Sequence, residues 1–294
     1  MRKSFIYLHC AVLLAGGTGL FGRLITLSQL PLVWYRIMFA LVILLGILAY
    51  RRQLRRLDTS SALRIGGCGM LMAIHWVLFY GSIQASNVSI GVICLTLVSF
   101  FTSMLEPFFG RRRPSIHEVI ISLLPVVGIL LIFHLNTRYR TGILLGIFSS
   151  AACALFSTLS KRVIETYRHS STTMTLYELI GGFALLTVCM PFAATLNPAM
   201  PLLPTWTDLL YLLLLSSVFT VGAFLLQMKA LRGISAFTMT LTYNLEPVYS
   251  ILFAIILFDE GSELGRSFWI GVLLIVISIT IQTALTRRSV RHTL

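Results

Sequence analysis

An all-α membrane protein of ten transmembrane helices, built as two inverted five-helix repeats, is the fold class this sequence predicts. Three features predict it. The 294 residues are 57% hydrophobic and only 11% charged, against roughly 25% charged in an ordinary soluble domain. The apolar residues fall into ten runs, each close to the ~20 residues a helix needs to cross a ~30 Å hydrocarbon core. Basic residues crowd alternate connections, as they should when each run carries the chain to the other side.

The runs can be taken in order. The first, about 5–27, follows Met1-Arg2-Lys3 like the apolar core of a signal peptide. No small-x-small cleavage site leads into a soluble domain, so it is expected to be retained as a helix. The second, 31–50, opens on Pro31. The third and fourth, 62–83 and 88–109, are joined by a tight turn. The fifth, 116–134, follows Pro114 and carries Pro125 inside it. After the sixth, 141–160, the seventh, 172–193, ends at Pro191, and a connection with Pro198, Pro201 and Pro204 leads to the eighth, 206–228. The ninth, 235–257, holds Pro247 in its interior, where a kink or a locally opened backbone is expected. The tenth, 268–286, closes the series. Helices rather than strands are expected, because lipid cannot satisfy unpaired backbone groups and the alternating ten-residue pattern of a barrel is missing.

Lys and Arg supply the orientation. With the N-terminus inside, the inner connections hold eighteen of the 23 basic residues, the outer ones four (Arg23, Arg138, Arg140, Arg266), and Arg36 lies within the second run. Such asymmetry is the positive-inside signature, with both termini cytoplasmic. The net charge of +13 therefore reads as topology, and no soluble basic face exists to bind nucleic acid. Five cysteines (Cys10, Cys68, Cys94, Cys153, Cys189), none in a Cys-x-x-Cys pair, read as buried thiols.

Internal similarity divides the chain into repeats at 1–137 and 138–294. The stretch from Ser82 to Ser89 matches that from Lys229 to Ala236, each joining the third and fourth helices of its half. Trp34-Tyr35-Arg36 matches Leu176-Tyr177-Glu178. An odd number of helices per half forces the second to insert upside down. The basic Arg111-Arg112-Arg113 after the fourth run accordingly has an acidic counterpart after the ninth, with Asp259, Glu260 and Glu263.

These residues resemble the drug/metabolite transporter superfamily, specifically its EamA-type ten-helix members. The marks are Gly16-Gly17-Thr18-Gly19-Leu20-Phe21-Gly22, Pro31-Leu32-Val33-Trp34-Tyr35-Arg36, Asn244-Leu245-Glu246-Pro247-Val248, Asp259-Glu260 and Trp269-Ile270-Gly271. The resemblance implies a central cavity, alternating access, and export or import of small metabolites, amino acids among them, across the bacterial inner membrane. One departure is that the first half has Ser99 and Phe100 where the second has Glu246 and Pro247. The two halves need not contribute equally to a site.

Ionisable groups in hydrocarbon cost at least ~2.5–3.5 kcal/mol, so each must face a cavity or a partner. Glu246, deep in the ninth run with Tyr243 and Asn244 beside it, is the leading candidate for substrate or proton binding. Pro247 next to it frees a carbonyl one turn back. In the third run His75, Trp76, Phe79 and Tyr80 offer an aromatic surface with one titratable imidazole, and the spacing predicts that positions 72, 75, 76 and 79 share one face. Arg36 and Glu178, equivalent through the inversion, are expected as gating or ion-pair residues not paired with each other, and Glu106 as a similar group near the inner surface. Gly16, Gly17 and Gly19 fit either close helix packing or a hinge. No metal site has ligand spacing, and neither cofactor nor nucleotide loop is expected. The expected partners are a small-molecule substrate and membrane lipid, with the chain a monomer or homodimer. The resulting expectation is a gradient-driven carrier rather than an enzyme, with an uncoupled facilitator as the alternative.

Overall fold

The computed structural model of the chain describes residues 2–109, 123, 126–128, 137–167, 169–231, 242–243, 245–263, 265–266, 269–270, 272–274, 276–277 and 280–281. Among them the only regular secondary structure is helix. Among the described residues seven helices are long and apolar enough to cross a membrane, and Glu246–Phe258 is a shorter apolar one. The fifth and tenth runs fall largely outside the described residues.

The spans keep their sequence order, with breaks the hydropathy did not announce. The first, Arg2–Gly17, continues through a 3₁₀ turn, Thr18–Leu20, into Phe21–Leu24. The second is Gln29–Tyr50 and the third Thr59–Ala85. At ~1.5 Å per residue the 27 residues of the third exceed the hydrocarbon thickness and project from it. The fourth divides into Val88–Cys94 and Leu97–Phe109. The sixth and seventh are Arg140–Tyr167 and Ser171–Leu196. The eighth begins as Trp206–Leu214, widens into a π-helix, Leu215–Gly222, and resumes as Ala223–Leu231. In the ninth, a turn at Leu245, whose amide bonds the Thr242 carbonyl at 3.0 Å, precedes Glu246–Phe258. Pro247 sits in the first turn of that helix, where its missing amide forfeits no bond. The break therefore falls just before Glu246, and Pro247 starts a helix instead of kinking one.

Helix starts are capped as free N–H groups require. Asp58 accepts from the Ser61 amide at 2.9 Å, Asn87 from Ile90 at 2.8 Å and Ser170 from Thr173 at 3.3 Å. The Ser61 hydrogen bonds hold the Asp58 carboxyl below its usual range. A carboxylate depressed in the fold stabilises it above its unfolded pKa and loses that contribution as pH falls. The melting temperature of Asp58→Ala should thus trail the wild type at about pH 7 and converge with it below about pH 3; a gap independent of pH would refute the cap.

Packing inverts the soluble pattern. Val42, Phe148, Leu210 and Ile256 are 62–75% exposed, which in water would be ruinous and in lipid costs nothing. Among the described residues the third and seventh spans meet backbone to backbone. A Cβ on Gly69 would strike the Glu178 carbonyl, and one on Gly181 the Gly66 backbone. Small residues let the two backbones touch.

Candidate substrate site at mid-span

Arg36 is the centre of the interior. Only 4% exposed, it donates from Nε to Thr220 Oγ1 at 3.1 Å and from Nη1 to Tyr80 Oη at 3.0 Å. Its guanidinium lies 3.8 Å above the Trp76 ring, a stacking geometry suited to a planar, weakly hydrated cation. Tyr80 passes its own hydroxyl to the Thr18 carbonyl at 3.2 Å, and Ser216 Oγ bonds the Arg36 carbonyl at 3.0 Å. The first, second, third and eighth spans thus meet at one cation. The π-helical turn matters locally: Thr220 donates to the Leu215 carbonyl five residues back, at 2.8 Å, which leaves its oxygen lone pairs for Arg36.

Glu246 completes the arrangement from the ninth span. Its carboxylate feels the Arg36 charge through space and acts in turn on Tyr243 and on Cys153 of the sixth span. Gly16 packs against the ninth span here, because a Cβ on it would come within 2.9 Å of Tyr249 Cβ and 3.3 Å of the Glu246 carbonyl. Ser250 Oγ locks the same crossing by donating to the Gly16 carbonyl. A guanidinium and a carboxylate within electrostatic reach of one another, with indole and phenol rings beside the guanidinium, are the chemistry that suits a solute carrying both charges.

The aromatic residues of the third span divide between two neighbours instead of sharing one face. Trp76 and Tyr80 meet Arg36. His75 turns to the sixth span, where Nδ1 lies 2.8 Å from Ser149 Oγ and 3.0 Å from the Ser149 carbonyl, while Ser149 Oγ reaches the His75 carbonyl at 3.0 Å. With the hydroxyl donating to that carbonyl, Nδ1 carries the ring proton and the pair closes on itself. Phe79 stacks on His75 at 6.2 Å and approaches Gly19. His75 and Phe79 thus lie against the sixth span and Gly19, away from Arg36.

The other candidates lie apart. Glu178, 9% exposed, accepts from Ser160 Oγ at 2.9 Å, not from Arg36. Gly17 and Gly19 press on Phe219 and on Val92, so with Gly16 they serve close packing on three different neighbours. The Glu106 side chain and Asn244 lie outside the described residues. Among the described residues no three His, Cys, Asp or Glu side chains converge to hold a metal.

At the expected outer end, two acidic residues of the second half grip the first. Asp208 closes a capping box with Thr205 and accepts from the Thr26 amide and hydroxyl, both at 2.7 Å. Glu260 is fully buried. It accepts from Val88 N and Ser89 N at 2.9 Å, Ser89 Oγ at 2.7 Å and Arg23 Nη1 at 3.1 Å. The left-handed turn at Asp259 (φ 53°), tolerable for aspartate, steers it inward. Sequence reasoning treated Glu260 as loop charge and missed Asp208, Ser216 and Thr220. The signal available was small or acidic polar residues within or abutting a leucine-rich run.

Comparison with known proteins matches residues 2–134 and again 140–283 to the model of the EamA-like transporter family. An uncharacterized transporter, YwfM, of Bacillus subtilis (strain 168) is 24% identical over 222 residues, covering 74% of this chain and 72% of the relative. An uncharacterized transporter of Haemophilus influenzae is 25% identical over 158 residues, half of each chain. A solved crystal structure superposes with a TM-score of 0.66 at 16% identity over 97% of both chains, a likeness of fold.

Proposed function

The chain belongs to the EamA-like transporter family, and on that premise we propose that it carries a small zwitterionic amphiphile, such as an amino acid, across the bacterial inner membrane by alternating access. The observation that carries the reading is Arg36 clamped on Trp76 with the Glu246 carboxylate across the interior. The guanidinium suits a solute carboxylate, Glu246 suits an ammonium, and the rings suit an apolar side chain. The polar closure by Asp208 and Glu260 supports a carrier that opens one end at a time, with both termini cytoplasmic.

Glu246 is also the group placed to couple transport to protons, because it can be neutralised by either a proton or a cationic substrate. In proteoliposomes, a pH gradient should drive substrate accumulation in the wild type. Glu246→Gln should abolish the accumulation and leave counterflow only at raised substrate concentration, because the ammonium loses its counter-charge. Uptake that ignores both the pH gradient and the substitution would remove proton coupling. A metabolite panel in which no zwitterion raises the melting temperature would remove the substrate class.

A further inference from the structure

A second site lies on the outside of the bundle, independent of the transport reading. Between the third and sixth spans, at their Lys/Arg-rich ends, runs a groove of about 360 Å³ lined by Arg64, Gly67, Leu71, Leu159, Arg162 and Val163. Its position on the third span is opposite the site. Trp76 and Tyr80 point to Arg36, whereas the flank that carries Leu63 and Gly67 also carries Met70 and Ile74, which are 71%, 39% and 40% exposed for Leu63, Met70 and Ile74. That flank faces lipid.

The groove has two chemistries in sequence. At the helix ends stand two exposed arginines, Arg64 and Arg162, from antiparallel spans, with the Arg64 guanidinium 5.8 Å from the Tyr167 ring centroid. Deeper in, from Arg64 to Leu71, about 10 Å at the helical rise, the walls are aliphatic. On the third span the carboxylate of the preceding turn, Asp58, is committed to the Ser61 amide. Gly67 keeps the floor open, since a Cβ there would meet nothing within 4 Å.

We propose that this groove binds an anionic phospholipid of the Lys/Arg-rich leaflet. The phosphate sits between Arg64 and Arg162 and one acyl chain lies along Leu71, Leu159 and Val163. Paired basic residues at a helix–helix groove are the chemistry that selects anionic headgroups, and the aliphatic floor distinguishes a lipid from a free anion. An occupant bridging two spans stabilises their packing.

The test uses the purified full chain in neutral detergent, with phosphatidylglycerol, phosphatidylcholine or inorganic phosphate added. Phosphatidylglycerol should raise the melting temperature by several degrees and remain bound in native mass spectra, and the other two should not. Arg64→Gln/Arg162→Gln should lose the shift and the bound lipid, and Arg64→Lys/Arg162→Lys should keep most of both. Gly67→Leu, which fills open space and leaves the fold intact, should also expel the lipid. Equal shifts with phosphatidylcholine, a full effect of phosphate alone, or lipid retention in both the double glutamine variant and Gly67→Leu would each overturn the assignment.

Discussion

Arg36→Gln should all but abolish substrate binding and transport. The guanidinium is the cation in the described interior that ties its own span to the third, through Tyr80 and Trp76, and to the eighth, through Thr220. Removing one member of a buried, hydrogen-bonded charge arrangement costs about 2–5 kcal/mol, which at 1.4 kcal/mol per decade is about thirtyfold or more in affinity. Part of that loss would come from Glu246, left without its opposing charge. Arg36→Lys keeps the charge but cannot lie flat on Trp76 while bonding both oxygens, so it should fall between the two. The readouts are the thermal shift given by the best zwitterion and initial uptake in proteoliposomes. Wild-type uptake by Arg36→Gln would show that the cluster is only a strut.

Gly69→Val should cost the folded protein itself. Its Cβ would fall on the Glu178 carbonyl, a backbone atom in a packed helix that no rotamer change can move. Overpacking that side chains can relieve costs about 1–3 kcal/mol, and a backbone-on-backbone collision should exceed it. Even Gly69→Ala should be harmful. Gly67→Ala, two residues away in open space, should change stability by no more than ~0.5 kcal/mol. Yield of monodisperse protein and melting temperature decide the pair. Equal behaviour of Gly69→Ala and Gly67→Ala would mean that the third and seventh spans do not cross there.

The all-helical membrane body was legible because hydropathy over twenty residues is a large summed signal, and the family marks lie at ordered positions along it. Internal breaks were not legible. Nothing in the run from Leu215 to Gly222 distinguishes five-residue from four-residue backbone bonding, and the turn at Leu245 precedes the proline that draws the eye. The site was half legible. Burial cost alone singled out Arg36 and Glu246, but a charge in an apolar run has no direction until its neighbours are known, and Arg36 was expected at a gate. His75 and Trp76 show the same limit. Adjacent residues on a helix are 100° apart, which is enough to place one against Ser149 and the other against Arg36. The close seam at Gly66, Gly69 and Gly181 was written in the sequence as small residues, yet glycines in the first span drew the attention instead.

The two ways in which this protein holds itself together differ in what water can do to them. The third and seventh spans are joined by contact between backbones, and solvent offers no substitute for lost contact. The second joint consists of carboxylates receiving N–H and O–H donors from the other half: Glu260 from Arg23, Val88 and Ser89, and Asp208 from Thr26. Each of those donors and acceptors finds a partner in water, so parting them forfeits about 1.5–3 kcal/mol per charged bond and leaves none unpaired. The molecule therefore has a dry weld between two spans and a wettable clasp between its two halves. Such a clasp can open and reseal many times without unpicking the weld.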